Sequence, residues 1–305
     1  METFHLPVMT KEIVDFLSPL NEKTIVDCTL GGGGHIEKLN GKAMSSPAGQ
    51  EGNIHIIAID QDQEAIEFAK KRLAKYDNIK YIHDNFGNLE NIVKDPVDAF
   101  LFDLGVSSYQ IDEASRGFSI RYDAPLDMRM DKSKQTSARE IIHNSSEEEL
   151  IQIFKEYGEE RFSKRVARAI ILERDKKEIN TTFELKDIIE KAIPTWKKRE
   201  SVTRIFQALR IAANLELDVL KKALESTISL LNPGGKIIVM SYHSLEDRIV
   251  KWFFRDKAKN GILNILTKKP VLATEEEVAI NPRAKSAKLR CAEKKTNKEG
   301  PTSLA

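Results

Sequence analysis

Apolar runs mark out the first third of this chain. Residues 24–30 (TIVDCTL) form a β-rich apolar run that ends in four glycines, and residues 54–60 (IHIIAID) form a second that ends in an acid. Residues 62–75 then place Ala65, Ile66, Phe68, Ala69 and Leu73 at helical spacing. Residues 79–84 (IKYIHD) predict a third strand and residues 97–103 (VDAFLFD) a fourth, again ending in Asp. Strands alternating with helical segments predict βαβ units on a mostly parallel sheet. The runs are apolar throughout rather than alternating, as in strands covered on both faces.

After Asp103 the rhythm changes. Residues 104–135 read as loop, and residues 136–194 as purely helical, with helices over 136–142, 147–156, 159–175 and 182–192. Thr181-Thr182 supplies an N-cap there and Pro194 a stop. Residues 203–231 read as one long helix ending at Asn232-Pro233-Gly234-Gly235, and residues 236–243 (KIIVMSYH) as the next strand. A helix over 246–257 and strands over 262–267 and 286–292 follow, the last two suited to an antiparallel closure of the sheet. The pattern predicts an α/β, Rossmann-like sheet with an inserted all-helical domain. Residues 1–107 and 201–292 form the discontinuous sheet domain, residues 108–200 the insertion, and residues 293–305 a polar tail expected to be disordered. The insertion follows a strand end, where open α/β sheets bind their ligands.

Composition adds exclusions. The chain has 305 residues and 41% hydrophobic content, enough for one large domain or two ordinary ones. No run approaches the ~20 apolar residues of a membrane span, and the N-terminus lacks the pattern of a signal peptide. Two cysteines, Cys28 and Cys291, make neither a disulfide framework nor a zinc cluster. A cytoplasmic protein with no metal and no membrane partner is expected. Charge is balanced overall but uneven along the chain: residues 151–214 carry a net of +5 and residues 283–298 a net of +6. Two basic regions flanking one cleft favour a polyanionic partner, with Arg283, Lys285, Lys288 and Arg290 as phosphate contacts.

The strongest local signal is Asp27-Cys28-Thr29-Leu30-Gly31-Gly32-Gly33-Gly34-His35, a strand turning through glycines into a helix. Glycine lets the backbone pass close to a ligand, and free N–H groups at a helix start favour a polar or anionic group. The dinucleotide pattern G-x-G-x-x-G is not satisfied, because its third glycine falls on Ile36. The other nucleoside cofactor of this architecture is S-adenosylmethionine, which carries no phosphate. Asp60, ending the second strand, is placed to accept both ribose hydroxyls, though an Asp there can also cap the next helix, as can Asp62. The Ser/Pro/Gly-rich stretch 44–53 reads as a surface loop. Asp84 and Phe86 follow the third strand, where an adenine would lie, and Asp103 ends the fourth, beside the methyl donor. No Asn- or Asp-Pro-Pro-aromatic motif follows Asp103, which argues against a generic DNA-amine methylase.

Several strings resemble the bacterial 16S ribosomal RNA cytosine-N4-methyltransferase family. They are His5-Leu6-Pro7-Val8-Met9, the glycine run to His35, Asp103 to Gln110, Arg116-Gly117-Phe118-Ser119 and Pro125-Leu126-Asp127-Met128-Arg129-Met130-Asp131. Phe206-Gln207-Ala208-Leu209-Arg210-Ile211, Ser241-Tyr242-His243-Ser244-Leu245-Glu246-Asp247-Arg248 and Asn281-Pro282-Arg283-Ala284-Lys285-Ser286 complete the set. They recur in family order from residue 5 to about 292. The resemblance implies a class I S-adenosylmethionine-dependent methyltransferase with an inserted helical domain, acting on N4 of a decoding-centre cytidine in 16S ribosomal RNA or the small ribosomal subunit. It carries cofactor contacts onto Gly33, Gly34, His35, Asp60, Phe86, Asp103 and Gln110. One departure stands before Thr203-Arg204, where Glu200, Ser201 and Val202 replace the family's His-Pro-Ala.

Cytosine N4 is a poor nucleophile, because its lone pair feeds the ring. An acceptor for an N4 hydrogen would steady the developing charge; Asp103 is the first candidate by position and His243, ending the fifth strand, the second. An NAD-dependent oxidoreductase and a non-catalytic RNA-binding protein on a methyltransferase fold stay open on the sequence.

Overall fold

The structure is a computed structural model that describes residues 7–44 and 54–296. His5, Leu6, nearly all of the 44–53 stretch and the tail from 297 lie outside the described residues. Two compact units make up the chain. One combines Met1–Gly105 with Asp218–Ala305, and the other is Val106–Leu217.

The first unit is built on one sheet. Its strands are β1 (Thr24–Asp27), β2 (His55–Asp60), β3 (Ile79–His83), β4 (Val97–Asp103), β5 (Leu231–Ser241), β6 (Leu263–Ile265), β7 (Val271–Leu272) and β8 (Lys288–Lys294). Their order is β3-β2-β1-β4-β5-β8-β6, with β7 also paired to β8. β1 to β5 run parallel, and β8 lies antiparallel to β5, β6 and β7. The expected antiparallel closure is present. The two-residue β7, too short for a pattern, is an addition. β8 also runs past the expected end at 292: Glu293 pairs with Lys236 and Lys294 with Leu263, so the tail does not begin at 293.

Successive side chains of a strand point to opposite faces, and here both faces are covered. Along β4, Ala99 and Leu101 enter one core while Phe100 and Phe102 enter the other. Along β5, Ile238 and Met240 oppose Ile237 and Val239 in the same way. Helices Thr10–Leu17, Gly34–Met44 and Gln63–Arg72 cover the first face. Ser244–Lys259 and most of Glu216–Leu230 cover the second. Truncating fully buried Phe100 or Phe102 to Ala would cost about 3–5 kcal/mol. The strand order reverses between β1 and β4, so the carboxyl ends of β1, β2 and β4 open onto one crevice.

The second unit is helical: Ala138–Asn144, Glu147–Glu156, Ser163–Arg174, Thr182–Ala192 and Lys198–Asn214. Three of these begin with reciprocal capping boxes, Ser137 with Glu140, Ser146 with Glu149 and Thr181 with Glu184. Its core takes Val202, Ile205, Phe206 and Leu209. The helical unit therefore reaches Leu217 rather than stopping at 200. The expected single helix over 203–231 is broken at Leu215, whose φ of 54° is left-handed. The break follows Asn214, which is buried. Its Nδ2 donates to the Met128 and Arg210 carbonyls, and its Oδ1 accepts the Met130 N–H. Glu200 pairs with Lys197 and Arg204, while Ser201 and Val202 are buried in this unit. The departure from His-Pro-Ala thus stands at a helix start that forms without it.

Candidate active site

The glycine turn lies between β1 and the helix Gly34–Met44. Gly31 and Gly33 both take positive φ, 49° and 75°. A Cβ on Gly33 would stand 2.7 Å from Leu73 Cδ1, and one on Gly34 would stand 3.1 Å from Pro7. Its positive φ and the approach to Leu73 hold position 33 to glycine, whereas at 34 a side chain would need Pro7 to give by a few tenths of an ångström. Gly31 has an open side, with only the Thr29 carbonyl within 4 Å of its Cβ position. Ile36, where a dinucleotide site needs glycine, is fully buried in the core.

Three carboxylates end three neighbouring strands. Asp60 accepts the Gly31 N–H on Oδ2 at 2.8 Å and the Asp62 N–H on Oδ1 at 2.9 Å. Asp62, not Asp60, caps the next helix, through the Glu64 N–H. Burial pushes the Asp60 carboxyl up to about 6, against the lowering pull of the Asp62 and Gly31 N–H groups. The Gln61 N–H also lowers the Asp60 carboxyl, as a third backbone donor. Asp27 is buried at 1% exposure; its Oδ1 accepts the Thr29 N–H, and its Oδ2 has no partner. Burial pushes Asp27 up to about 7, and the nearby charges of Asp103 and Asp60 add to the rise while His35 opposes it.

Asp103 is the most constrained of the three. Its backbone N–H donates to Thr29 Oγ1 at 2.7 Å. Its Oδ1 accepts the Tyr242 hydroxyl at 2.7 Å, and its Oδ2 lies 3.3 Å from His35 Nε2. Burial and the neighbouring Asp103 push the Tyr242 phenol well up, so it stays a donor. His35 Nε2 faces the Asp103 carboxylate, and its Nδ1 is buried without a hydrogen-bond partner. Phe86 is half-buried and meets Phe102 edge-on at 5.6 Å. Asp84 is held by the Asn85 N–H and the Asn88 amide.

The remaining expected site residues have local partners of their own. Gln110 belongs to the helical unit and closes a reciprocal capping box with Ser107 at the start of Ser108–Asp112. His243 is the N-cap of Ser244–Lys259. Its Nδ1 accepts the Glu246 N–H, its Nε2 lies 3.2 Å from Glu246 Oε1, and Glu246 takes back the Tyr242 and His243 N–H groups. Nδ1 is thereby engaged in capping, while Nε2 is buried and makes no hydrogen bond. Arg290 has an acidic partner. It is buried at 7% exposure, with its guanidinium 2.7 Å from Asp247, so its charge is neutralised inside the protein. Lys285 is exposed, Arg283 is half-buried, and Lys288 lies 4.0 Å from Asp247.

Two residues were missed as site residues. Tyr242 lies 139 positions from Asp103 and carries no local signal. Asp27 is the one acid inside the apolar run ahead of the glycines, and that was the signal available. An orphaned buried carboxylate oxygen, an orphaned imidazole nitrogen and two further acids suit a cationic ligand bearing hydroxyls, which describes S-adenosylmethionine.

A doubly wound dinucleotide sheet ends on a further parallel strand. Here β8 slots antiparallel between β5 and β6, which makes the fold that of the class I S-adenosylmethionine-dependent methyltransferases. The chain matches the MraW methylase family over residues 2–295 and belongs to it; it is a methyltransferase. It is 47% identical over 315 residues to the ribosomal RNA small subunit methyltransferase H of Halothermothrix orenii, covering 96% of this chain and 99% of that protein. The protein of that name from Clostridium botulinum is 45% identical, with 96% and 100% covered, and that from Finegoldia magna 43%, with 96% and 99% covered. Family membership sets aside the oxidoreductase and the non-catalytic binder. No helix among the described residues is long and apolar enough to cross a membrane.

Proposed function

We propose that this enzyme methylates the exocyclic N4 of a decoding-centre cytidine in small-subunit 16S ribosomal RNA, with S-adenosylmethionine as donor. Methylation of small-subunit ribosomal RNA is what relatives 43–47% identical over nearly their whole length are named for. The finer target rests on the family strings, and the observation that carries it is Asp103, an acid at a strand end held by Tyr242 and His35.

The donor supplies a methyl group on a sulfonium, already activated, so the protein's work is alignment. Asp60 takes the ribose hydroxyls, Phe86 packs on the adenine, and the turn at Gly33, Gly34 and His35 borders the rest; Gln110 is a contact by the family resemblance alone. Asp27, Asp60 and Asp103 together favour a cation. Asp103 accepts a hydrogen from N4 and steadies the charge that develops on the amine. Its hold by Tyr242 and His35 reduces the reorganisation needed at that moment. The target base has to leave its stack to reach such a site. The basic helical unit serves substrate recognition, and Arg283, Lys285 and Lys288 serve as phosphate contacts.

The test is transfer of labelled methyl from S-adenosylmethionine to naked small-subunit RNA and to small-subunit particles, followed by digestion and nucleoside mass spectrometry. N4-methylcytidine is the expected product. Another methylated nucleoside overturns the target; no transfer to either substrate overturns the reaction.

A further inference from the structure

Far along the sheet from the three carboxylates, a cavity of about 460 Å³ opens between the helix Ser244–Lys259 and strands β6 and β8. The helix presents Lys251, Phe254, Arg255 and Ala258 to it, at the i, i+3, i+4, i+7 spacing of one face. Lys268 and Lys295 add two more cations from the sheet side, and no acidic residue is among those lining it. Arg290 also lines it, but its charge is already met by Asp247. Four cations thus converge over buried Phe254 and Leu263.

Trp252, one residue round the same helix, is 58% exposed. Lys251 Nζ lies 5.7 Å and Arg255 Cζ 5.4 Å from its ring centroid. Two of the cations that line the cavity therefore also flank an exposed aromatic face. An indole left largely in water costs the protein apolar exposure and is placed where one end of a ligand can cover it. Cations converging on a pocket beside an exposed aromatic ring match the two halves of a nucleotide chain: phosphate in the pocket, base on the ring. A lone phosphate or polyphosphate would leave Trp252 unused.

We infer that this cavity is a second RNA contact, holding phosphodiester groups of a single-stranded stretch of the substrate while a base of that stretch stacks on Trp252. The inference rests on the ribosomal RNA reading above. It adds a contact on the antiparallel edge of the sheet, beyond β5 from the strands that carry the three carboxylates.

Trp196 and Trp252 are the only tryptophans, so the Trp196→Phe protein makes Trp252 the sole indole reporter. Short single-stranded RNA should quench its fluorescence, and inorganic tripolyphosphate should compete for the cavity without quenching. Trp252→Ala should weaken RNA binding about fivefold or more. Lys251→Gln, Arg255→Gln and Lys268→Gln together should lower the slope of log affinity against log salt by about 2, since about 0.7 of a counterion is released per phosphate on a single strand. S-adenosylhomocysteine affinity, read in the same preparations, reports that the fold is intact and should not change. An RNA affinity and salt slope unaltered in both variants, or tripolyphosphate binding tightly where RNA leaves Trp252 unquenched, overturns the inference. Methyl transfer to small-subunit RNA or particles, measured alongside, separates the two readings. Its absence in the wild-type protein defeats the function, whereas transfer with an unchanged KM for RNA in both variants defeats only this contact.

Discussion

Tyr242 donates its hydroxyl to Asp103 at 2.7 Å, joining the residue just past β5 to the last residue of β4. Neighbouring parallel strands bring them together, with Asp103 level with Met240 in the register. The bond fixes one carboxylate oxygen while His35 fixes the other, so the orientation of Asp103 is set before substrate arrives.

Tyr242→Phe removes that donor and keeps the ring. Loss of a hydrogen bond to a charged acceptor at this site should slow single-turnover methylation by about tenfold, with a smaller change in S-adenosylmethionine affinity. Asp103→Asn should slow it at least as much. A normal saturated rate in both variants would assign the pair to structure alone.

Asp60→Ala is a poor test of ribose binding, because it also strips the Gly31 and Asp62 N–H groups of their acceptor. Discrimination between S-adenosylhomocysteine and its 2′-deoxy analogue is cleaner. The wild-type protein should prefer the ribose form by about 2 kcal/mol, and Asp60→Asn should lose most of that preference. Equal discrimination in the two proteins, by calorimetric titration, removes Asp60 from the ribose.

Asp27 ties stability to pH. Its carboxyl is raised from 3.8 to about 7 in the folded protein, so the fold binds a proton that the unfolded chain has released. The favourable contribution is complete below about pH 4 and is lost as pH rises through 7. Asp27→Asn should therefore gain on the wild type between pH 4.5 and 8, by up to about 4 kcal/mol. Urea unfolding at several pH values gives the difference directly; a constant offset would mean that Asp27 stays ionised.

Cofactor binding should follow the same protons. With Asp27 at about 7 and Asp60 at about 6, both carboxyls lose charge as pH falls. S-adenosylmethionine affinity should rise from pH 5.5 to 8 and release protons on binding, measured as a dependence of calorimetric heat on buffer ionisation. S-adenosylhomocysteine, lacking the sulfonium charge, should show a weaker rise.

Arg290 and Lys285 should behave oppositely. Arg290→Gln leaves Asp247 without its closest partner and should cost about 3 kcal/mol of stability. Lys285→Gln, at an exposed site, should leave the melting temperature unchanged and weaken RNA binding at low salt only.

Much of the fold is legible in the residue pattern, for a local reason. A strand covered on both faces needs apolar side chains at every position, so β2 and β4 appear as apolar runs wherever they occur. Thr182–Ala192 and Glu147–Glu156 begin where Thr181-x-x-Glu184 and Ser146-x-x-Glu149 supply caps within one turn. Leu215 is the contrast. Its neighbourhood continues a helical pattern, and the break depends on Asn214 binding Met128 and Met130, more than 80 residues away.

The site divides along the same line. That Asp60 and Asp103 end strands of a glycine-turn sheet follows from short stretches of sequence, because strand and turn propensities act over a few residues; the apolar run 24–30 hid that β1 stops at Asp27. Which charges meet water, which meet each other and which nitrogen of His243 is free depend on what covers them. A run of lysines and arginines counts charge. Whether Arg290 faces a phosphate or Asp247 is decided by the helix packed over that face of β8, and burial alone turns Asp27 from an ordinary carboxylate into one that titrates near neutrality.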